Sequence, residues 1–497
     1  MQLYPILLIG VLLLFDGGLK LATDSLSLSG PAVTAIACGP VLLVLSVAYF
    51  GIRGFGRRCA GEAAPRAIWA ADRLVRLARG LLLVNHAVAV LVFGWMETVR
   101  AVVGNGVLID ELITISPALA GLLGTWWVYY PIERRVREAV IMRKLDLGRA
   151  IFPIPTRGRY VLTQARLHLL FLLVPIMLII AAAETIDHLF AGRAQSPFVL
   201  WVTETGTFAA AAVVVMLAPL LCRVVLEVEP VGEGPLRADM MEICQAHGVK
   251  VRQLLLWKTD GLMINAAVMG LIGPLRYILM TDALLESMTR PQLQAVMAHE
   301  IGHVRRHHMP WMVAALVALV IVPITAVEAV FGLLSAGRVP PPATMPPWAG
   351  TVTVAGVLGL AFIGFGWVSR RFERQADTFA ACHLSSHART ADGGEPAVIT
   401  PEAVRTVSDA LGTIAWLDAV KARRRSWRHG SIAWRQAYLG SITGQSIAAV
   451  QIDRQIRWIK WLIAVLLGLA LAYLVTAEVK RPTPPGAAVA WVGEVGL

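Results

Sequence analysis

Nine apolar runs, most of them near twenty residues long, constrain this chain more than any other feature. A helix rises ~1.5 Å per residue, so ~20 residues cross the ~30 Å hydrocarbon layer with every backbone polar group satisfied internally. The runs are residues 3–15, 31–50, 81–96, 112–130, 167–183, 198–225, 311–334, 349–368 and 458–476, the first and third being short. Hydrophobic residues make up 57% of the chain and charged ones 16%, outside the range of soluble globular domains. The first run has no basic start and no clear small-residue cleavage site, and Lys20 follows it. It is therefore expected to stay as a span. The implied class is a predominantly α-helical polytopic membrane protein.

The net charge of +12 suits a nucleic-acid partner until its distribution is read. Segments 51–80, 131–166, 223–310 and 369–457 carry 7, 9, 9 and 13 Lys plus Arg, whereas the stretches before each of the four hold only Lys20, Arg100, Arg193 and Arg338. Such alternation is the positive-inside bias. It predicts a cytoplasmic N-terminus, the four basic segments on that side, and residues 477–497 opposite. The basic charge then serves orientation and contact with anionic lipids, with no nucleic acid required. The five cysteines form no CxxC pair and imply no disulfide framework.

Between the sixth and seventh runs lies His299-Glu300-Ile301-Gly302-His303, an HExxH pattern. Two His four apart share one helical face and can bind one Zn²⁺, while the adjacent Glu reaches a water acidified by the metal. Thr289 as cap, Pro291 in the first turn and Leu293, Val296 and Met297 at helical spacing predict a helix here. His307 and His308, in a basic run, are expected to mark a membrane-surface boundary. Cys382, His383 and His387 are expected to form a surface cluster on a helix. Upstream, Leu262–Gly270 and Arg276–Thr281, separated by Gly273-Pro274, read as a β-hairpin. Its edge would accept an extended peptide through main-chain hydrogen bonds, although a buried hairpin fits the spacing equally.

Catalytic zinc normally keeps three protein ligands and one open position. Glu373 and Asp377, four apart in a helical pattern, offer a third ligand and a partner that orients a ligating His. Alone, such a pair among arginines reads as a solvated face. In order, the chain carries Asn265-Ala266, a Gly-Pro turn, the run Thr281 to Glu286, HExxH, an expected membrane hairpin, then Glu-x-x-x-Asp, and only the relation of this order to a known pattern raises the ligand reading.

Residues 262–310 and 367–381 thereby resemble the HtpX and CAAX prenyl protease type of membrane-bound zinc metallopeptidases. The resemblance implies one Zn²⁺ per chain held by His299, His303 and Glu373, with Glu300 as general base and Asp377 behind the ligands. It implies substrate contacts from Asn265 and Ala266 on an edge strand. The stretch His429-Gly430-Ser431-Ile432-Ala433-Trp434-Arg435 is similar to the family's late His-Pro-(x)₄-Arg element, with Gly430 in place of Pro. His429 and Arg435 would then be catalytic donors to the oxyanion. Alternatively, the basic stretch 421–435 contacts anionic lipid, or Arg435 braces Glu373 or Asp377.

The expected fold is helical and polytopic with a small α+β zincin-like catalytic domain. Its parts are 1–226 (six spans), 227–310 (catalytic segment), 311–368 (membrane hairpin), 369–457 (second catalytic part) and 458–497 (last span and tail). The expected function is a zinc endopeptidase acting on peptide or membrane-protein substrates, in quality control or prenyl-protein-like processing. Its site would lie at the cytoplasmic face of a bacterial inner or plasma membrane. The competing reading is a transporter or channel, for which Asn85, His86, Glu204 and Glu328 within spans are the only marks.

Overall fold

The computed structural model describes residues 4–16, 20–21, 28–58, 64–146, 151–191, 196–261, 263–336, 347–389, 398–417 and 426–480. Two compact units interleave along the chain. Residues 1–231, 252–265 and 272–286 form the first, and residues 232–251, 266–271 and 287–497 form the second.

The first unit contains α1 (Tyr4–Asp16), α2 (Gly30–Arg58), α3 (Ala64–Leu91), α4 (Trp95–Val103), α5 (Ile109–Asp146), α6 (Arg157–Ala165), α7 (Phe171–Phe190) and α8 (Pro197–Val225). Among the described residues of the whole chain, seven helices are long and apolar enough to span a bilayer. They match seven of the nine expected runs. The first run is the exception with a clear cause: α1 has 13 residues, ~20 Å of helix, too short to cross unaided. The run 349–368 falls in a helix whose first side chains lie outside the described residues, as does the tail after Lys480.

Charged ends extend the spans beyond their apolar centres. Much of the basic segments at 51–80 and 131–166 is helix, since α2 reaches Arg58, α3 starts at Ala64 and α5 reaches Asp146. Inside the helices, Asn85 Nδ2 donates to the Ala37 carbonyl at 2.9 Å, and His86 Nε2 lies 3.2 Å from the Leu8 carbonyl. These polar groups tie α3 to α2 and α1, each satisfied by a backbone carbonyl.

A small sheet completes this unit. β1 (Val228–Pro230) pairs antiparallel with β2 (Gln253–Trp257), and β2 pairs in parallel with the strand Tyr277–Thr281. The strand Ala266–Met269, β3 in chain order, belongs to the second unit, which makes Tyr277–Thr281 β4. The two runs expected as a hairpin are thus β3 and β4, joined through a 3₁₀ turn at Gly273–Leu275. Asn265, just before β3, donates its N–H to Thr281 Oγ1 and accepts from the Thr281 N–H, both at 3.0 Å. The parallel β2–β4 pairing was not legible from spacing, because a parallel partner arrives from a distant segment. A short helix, α10 (Asp282–Ser287), follows β4.

The second unit holds α9 (Pro235–Ala246), α11 (Arg290–Arg305), α12 (His308–Ala336), α13 (Pro347–Arg389), α14 (Pro401–Leu417), α15 (Ile432–Ser441) and α16 (Gln451–Lys480). Its core joins Ala298 of α11 to Phe372 and Ala380 of α13, Leu411 of α14, Leu439 of α15 and Ile452 of α16. α13 runs 43 residues without a break, so one continuous helix carries both an expected span and Glu373. His383, expected on a surface, is instead buried, with Nδ1 2.9 Å from His247 Nε2. The apolar face of α13 turns inward there, and a His partner satisfies the ring. Cys38, Cys222, Cys244 and Cys382 are free thiols.

Candidate metal centre

The HExxH motif lies on α11 as its spacing predicts. Thr289 precedes the helix in extended conformation, and its N–H donates to the Gln292 side chain at 3.1 Å. Pro291, in the first turn, lacks an N–H that the helix would leave unpaired there. Gln292 Nε2 donates in turn to Thr413 Oγ1 at 3.1 Å, fixing the start of α11 against α14.

The sequence-derived ligand set converges. One ligand atom each from His299, His303 and Glu373 lie within 4.8 Å of one another. The two Nε2 atoms are 3.1 Å apart. Glu373 Oε2 is 3.7 Å from His299 Nε2, and Oε1 is 3.8 Å from His303 Nε2. Atoms sharing a tetrahedral Zn²⁺ at ~2.0–2.1 Å stand roughly 3.3 Å apart. Two imidazoles and a carboxylate at these separations therefore suit zinc in both chemistry and size.

Behind the ligands stands an anchored acid. Asp377 is buried, and its Oδ1 lies 3.0 Å from His299 Nδ1. Arg435 grips the same carboxylate, Nε to Oδ2 at 2.8 Å and Nη2 to Oδ1 at 2.6 Å. Held as an anion, Asp377 favours a proton on the facing His299 Nδ1, which leaves Nε2 turned to the ligand cluster. Arg435 Nη1 also reaches Glu373 Oε2 at 3.2 Å. Burial opposes ionisation of Glu373, but Arg435 and His429 outweigh it and hold the carboxyl well below the usual range. Burial likewise penalises charge on His303, holding it neutral and its nitrogen free to ligate. At His299, Asp377 outweighs the same penalty and raises the ring above its ordinary value, so a metal would displace a proton there.

Glu300 is half-buried by surface area, yet its carboxyl is well desolvated by neighbouring side chains, which pushes it up to about 7. Glu373 adds to that rise, while His299 and the N–H of Val268 on β3 oppose it. A carboxyl poised near neutrality is matched to proton transfer.

His429 and Arg435 come to the acid pair. His429 Nδ1 lies 2.8 Å from Glu373 Oε1, with half its side chain exposed. Its loop is held by Trp427, stacked on Phe362 at 4.0 Å and donating from Nε1 to the Phe362 carbonyl at 2.9 Å. Gly430 sits at φ +76°, which proline cannot adopt, and Ser426 pairs with it on both sides of the turn. This accounts for glycine where the resembled element carries proline. Arg435 makes the bracing contacts weighed as its alternative role. The basic residues 421–425 lie outside the described residues. Asn265 is exposed at the entry to β3, and Ala266 is that strand's first residue.

His308, expected at a membrane surface, is buried against the cluster. Its Nδ1 lies 2.8 Å from His303 Nδ1, and its ring stacks on Phe372 at 4.4 Å. A left-handed His307 at φ +53° ends α11 and swings His308 back toward His303. His307 and His308 are adjacent, but a backbone reversal at a non-glycine residue was not legible from their spacing.

The described structure is thus a helical, multi-pass membrane protein with a zinc-competent cluster. Residues 233–393 match Peptidase family M48, and the matched segment contains β3, HExxH and the Glu373–Asp377 pair. Over that segment the chain is similar to the metallopeptidases of this family, in agreement with the resemblance drawn from the motifs. Among solved structures, Ste24p of S. mikatae is similar at 14% identity and a TM-score of 0.46, over 82% of this chain and 98% of that one. A comparison with curated proteins finds no match.

Proposed function

We propose that this protein is a zinc endopeptidase that hydrolyses peptide bonds of membrane-associated or membrane-protein substrates at the cytoplasmic membrane face. His299, His303 and Glu373 hold one Zn²⁺, and the observation that carries this reading is the convergence of their ligand atoms within 4.8 Å. When bound, the metal supplies Lewis acidity to water and to the scissile carbonyl. Glu300, raised to about 7, takes the proton of the attacking water and passes it to the leaving amine. Val268, whose N–H bonds Glu300, sets β3 beside that base. An extended substrate adds along β3 through main-chain hydrogen bonds, with Asn265 and Ala266 at the strand's start. Asp377 and Arg435 fix the ligands, and His429, half-exposed beside Glu373, donates to the developing oxyanion. Anionic lipid around the basic helix ends holds the orientation.

The test is Glu300→Gln. The variant is expected to keep stoichiometric zinc and lose about 10²-fold or more in turnover. Mass spectrometry of products from a membrane-protein substrate set, against this variant, reads the result. Equal product patterns from both proteins would reject the peptidase assignment of this site.

A further inference from the structure

One chain of hydrogen bonds, buried at its middle, ends on a proposed zinc ligand and begins on a membrane helix. Asp453, in the first turn of α16, pairs through Oδ2 with Arg306 at 2.7 Å and accepts through Oδ1 from Gln375 Nε2 at 2.6 Å. Gln375 Oε1 lies 2.8 Å from His308 Nε2, and His308 Nδ1 lies 2.8 Å from His303 Nδ1. Gln375 and His308 are both buried.

Directionality follows from the one group that can only accept. A carboxylate has no proton to give, so the Gln375 amide must present its NH₂ to Asp453 and its carbonyl to His308. The carbonyl can only accept, so His308 Nε2 carries the proton and His308 Nδ1 is left with a lone pair. His303 Nδ1 must then be the protonated nitrogen of its ring, and His303 Nε2 the free one. Nε2 is the atom that stands 3.1 Å from His299 Nε2 in the ligand cluster. Reversing any link would set two donors or two acceptors against each other in a buried site.

We infer that Asp453, Gln375 and His308 are positioning residues that fix the tautomer and ring orientation of His303 and so tune metal affinity from the first turn of the C-terminal membrane helix. The inference rests on the proposed zinc site. Asp377 does the corresponding work for His299, so each His ligand has its own orienting carboxylate, one direct and one at the end of a relay. Lys460 of α16 also donates to the Arg306 carbonyl at 2.6 Å, which adds a second tie between α16 and the end of α11.

The experiment compares two substitutions at His308 in the full-length protein. His308→Asn keeps a carbonyl acceptor near the position of Nδ1 but loses the ring. His308→Phe keeps a ring to stack on Phe372 but offers no acceptor. Zinc affinity is measured by competition with a chelator, alongside the visible spectrum of the Co²⁺-substituted protein. His308→Phe is expected to weaken zinc about 10–100-fold and alter the Co²⁺ spectrum, with His308→Asn within about threefold of wild type. A packing role predicts the opposite ranking. That ranking, equal losses, or no loss in either variant would overturn the relay. Arg306→Gln, which spares the Gln375 link, is expected to bind zinc as wild type does, and loss there as large as in His308→Phe would likewise overturn it. Unchanged zinc content in both His299→Ala and His303→Ala would instead reject the underlying metal site.

Discussion

Arg435 and Asp377 form a two-pronged ion pair in the buried heart of the second unit, with Nε–Oδ2 at 2.8 Å and Nη2–Oδ1 at 2.6 Å. Both partners are buried, so either one left alone is an unpaired charge with little access to water. Such a pair earns its place through what it orients, since desolvation consumes much of its attraction. Here it orients His299 and restrains Glu373.

Arg435→Lys should therefore act on metal before it acts on chemistry. A lysine cannot bridge Asp377 with a planar fork and reach Glu373 as well. Zinc affinity is expected to fall about 10–100-fold, read by zinc retained after dialysis against a chelator. Wild-type retention with lowered turnover would instead make Arg435 a transition-state donor.

The glycine inside HExxH has a packing reason. A Cβ on Gly302 would meet Phe379 Cβ at 3.1 Å, forcing apart α11 and α13, the two helices that carry the ligand set. Gly302→Val is expected to cost about 1–3 kcal/mol and to lower the melting temperature. Phe379→Ala in the same protein should restore part of that loss. Additive destabilisation by the two changes would show that this contact does not limit the approach of the helices.

An ion pair between Asp239 of α9 and Arg290 of α11 sets a pH dependence. The hydrogen bond from Arg290 holds the Asp239 carboxyl below its ordinary value. A depressed folded-state pKa stabilises above the unfolded value of ~3.9 and is lost as pH falls through the folded one. Asp239→Asn should thus melt lower than wild type at neutral pH, with the gap closing as pH falls below the unfolded value of ~3.9 and through the depressed folded one. A gap unchanged across that range would remove the ion pair as its cause.

Orientation is testable without any substrate. The Lys and Arg bias predicts residues 131–166 on the cytoplasmic side and residues 337–346 outside. An impermeant thiol reagent added outside is expected to label a cysteine placed at Thr344 and spare one at Thr156. Labelling at Thr156 from outside would reverse the assignment.

Features of the chain that depend on neighbours in sequence were legible from sequence. Apolar length defines a span whatever surrounds it, and seven of the expected runs are helices long and apolar enough to cross. The His299–His303 pair shares a face because helical geometry places residues four apart together, and Glu373 was found because it sits in a known order of motifs. Gly430 stood out as a departure from that order, although only its left-handed φ explains it. Tertiary structure alone decided what joins these local pieces. Asp453 is 150 residues from His303 in the chain and three hydrogen bonds from it in space. Nothing in the local pattern around Asp453 or Gln375 marks them, because a buried polar group is defined by the partner that satisfies it. His308 was misread for that reason: a histidine in a basic run reads as a surface residue, and only a reversed backbone shows it turned inward against His303.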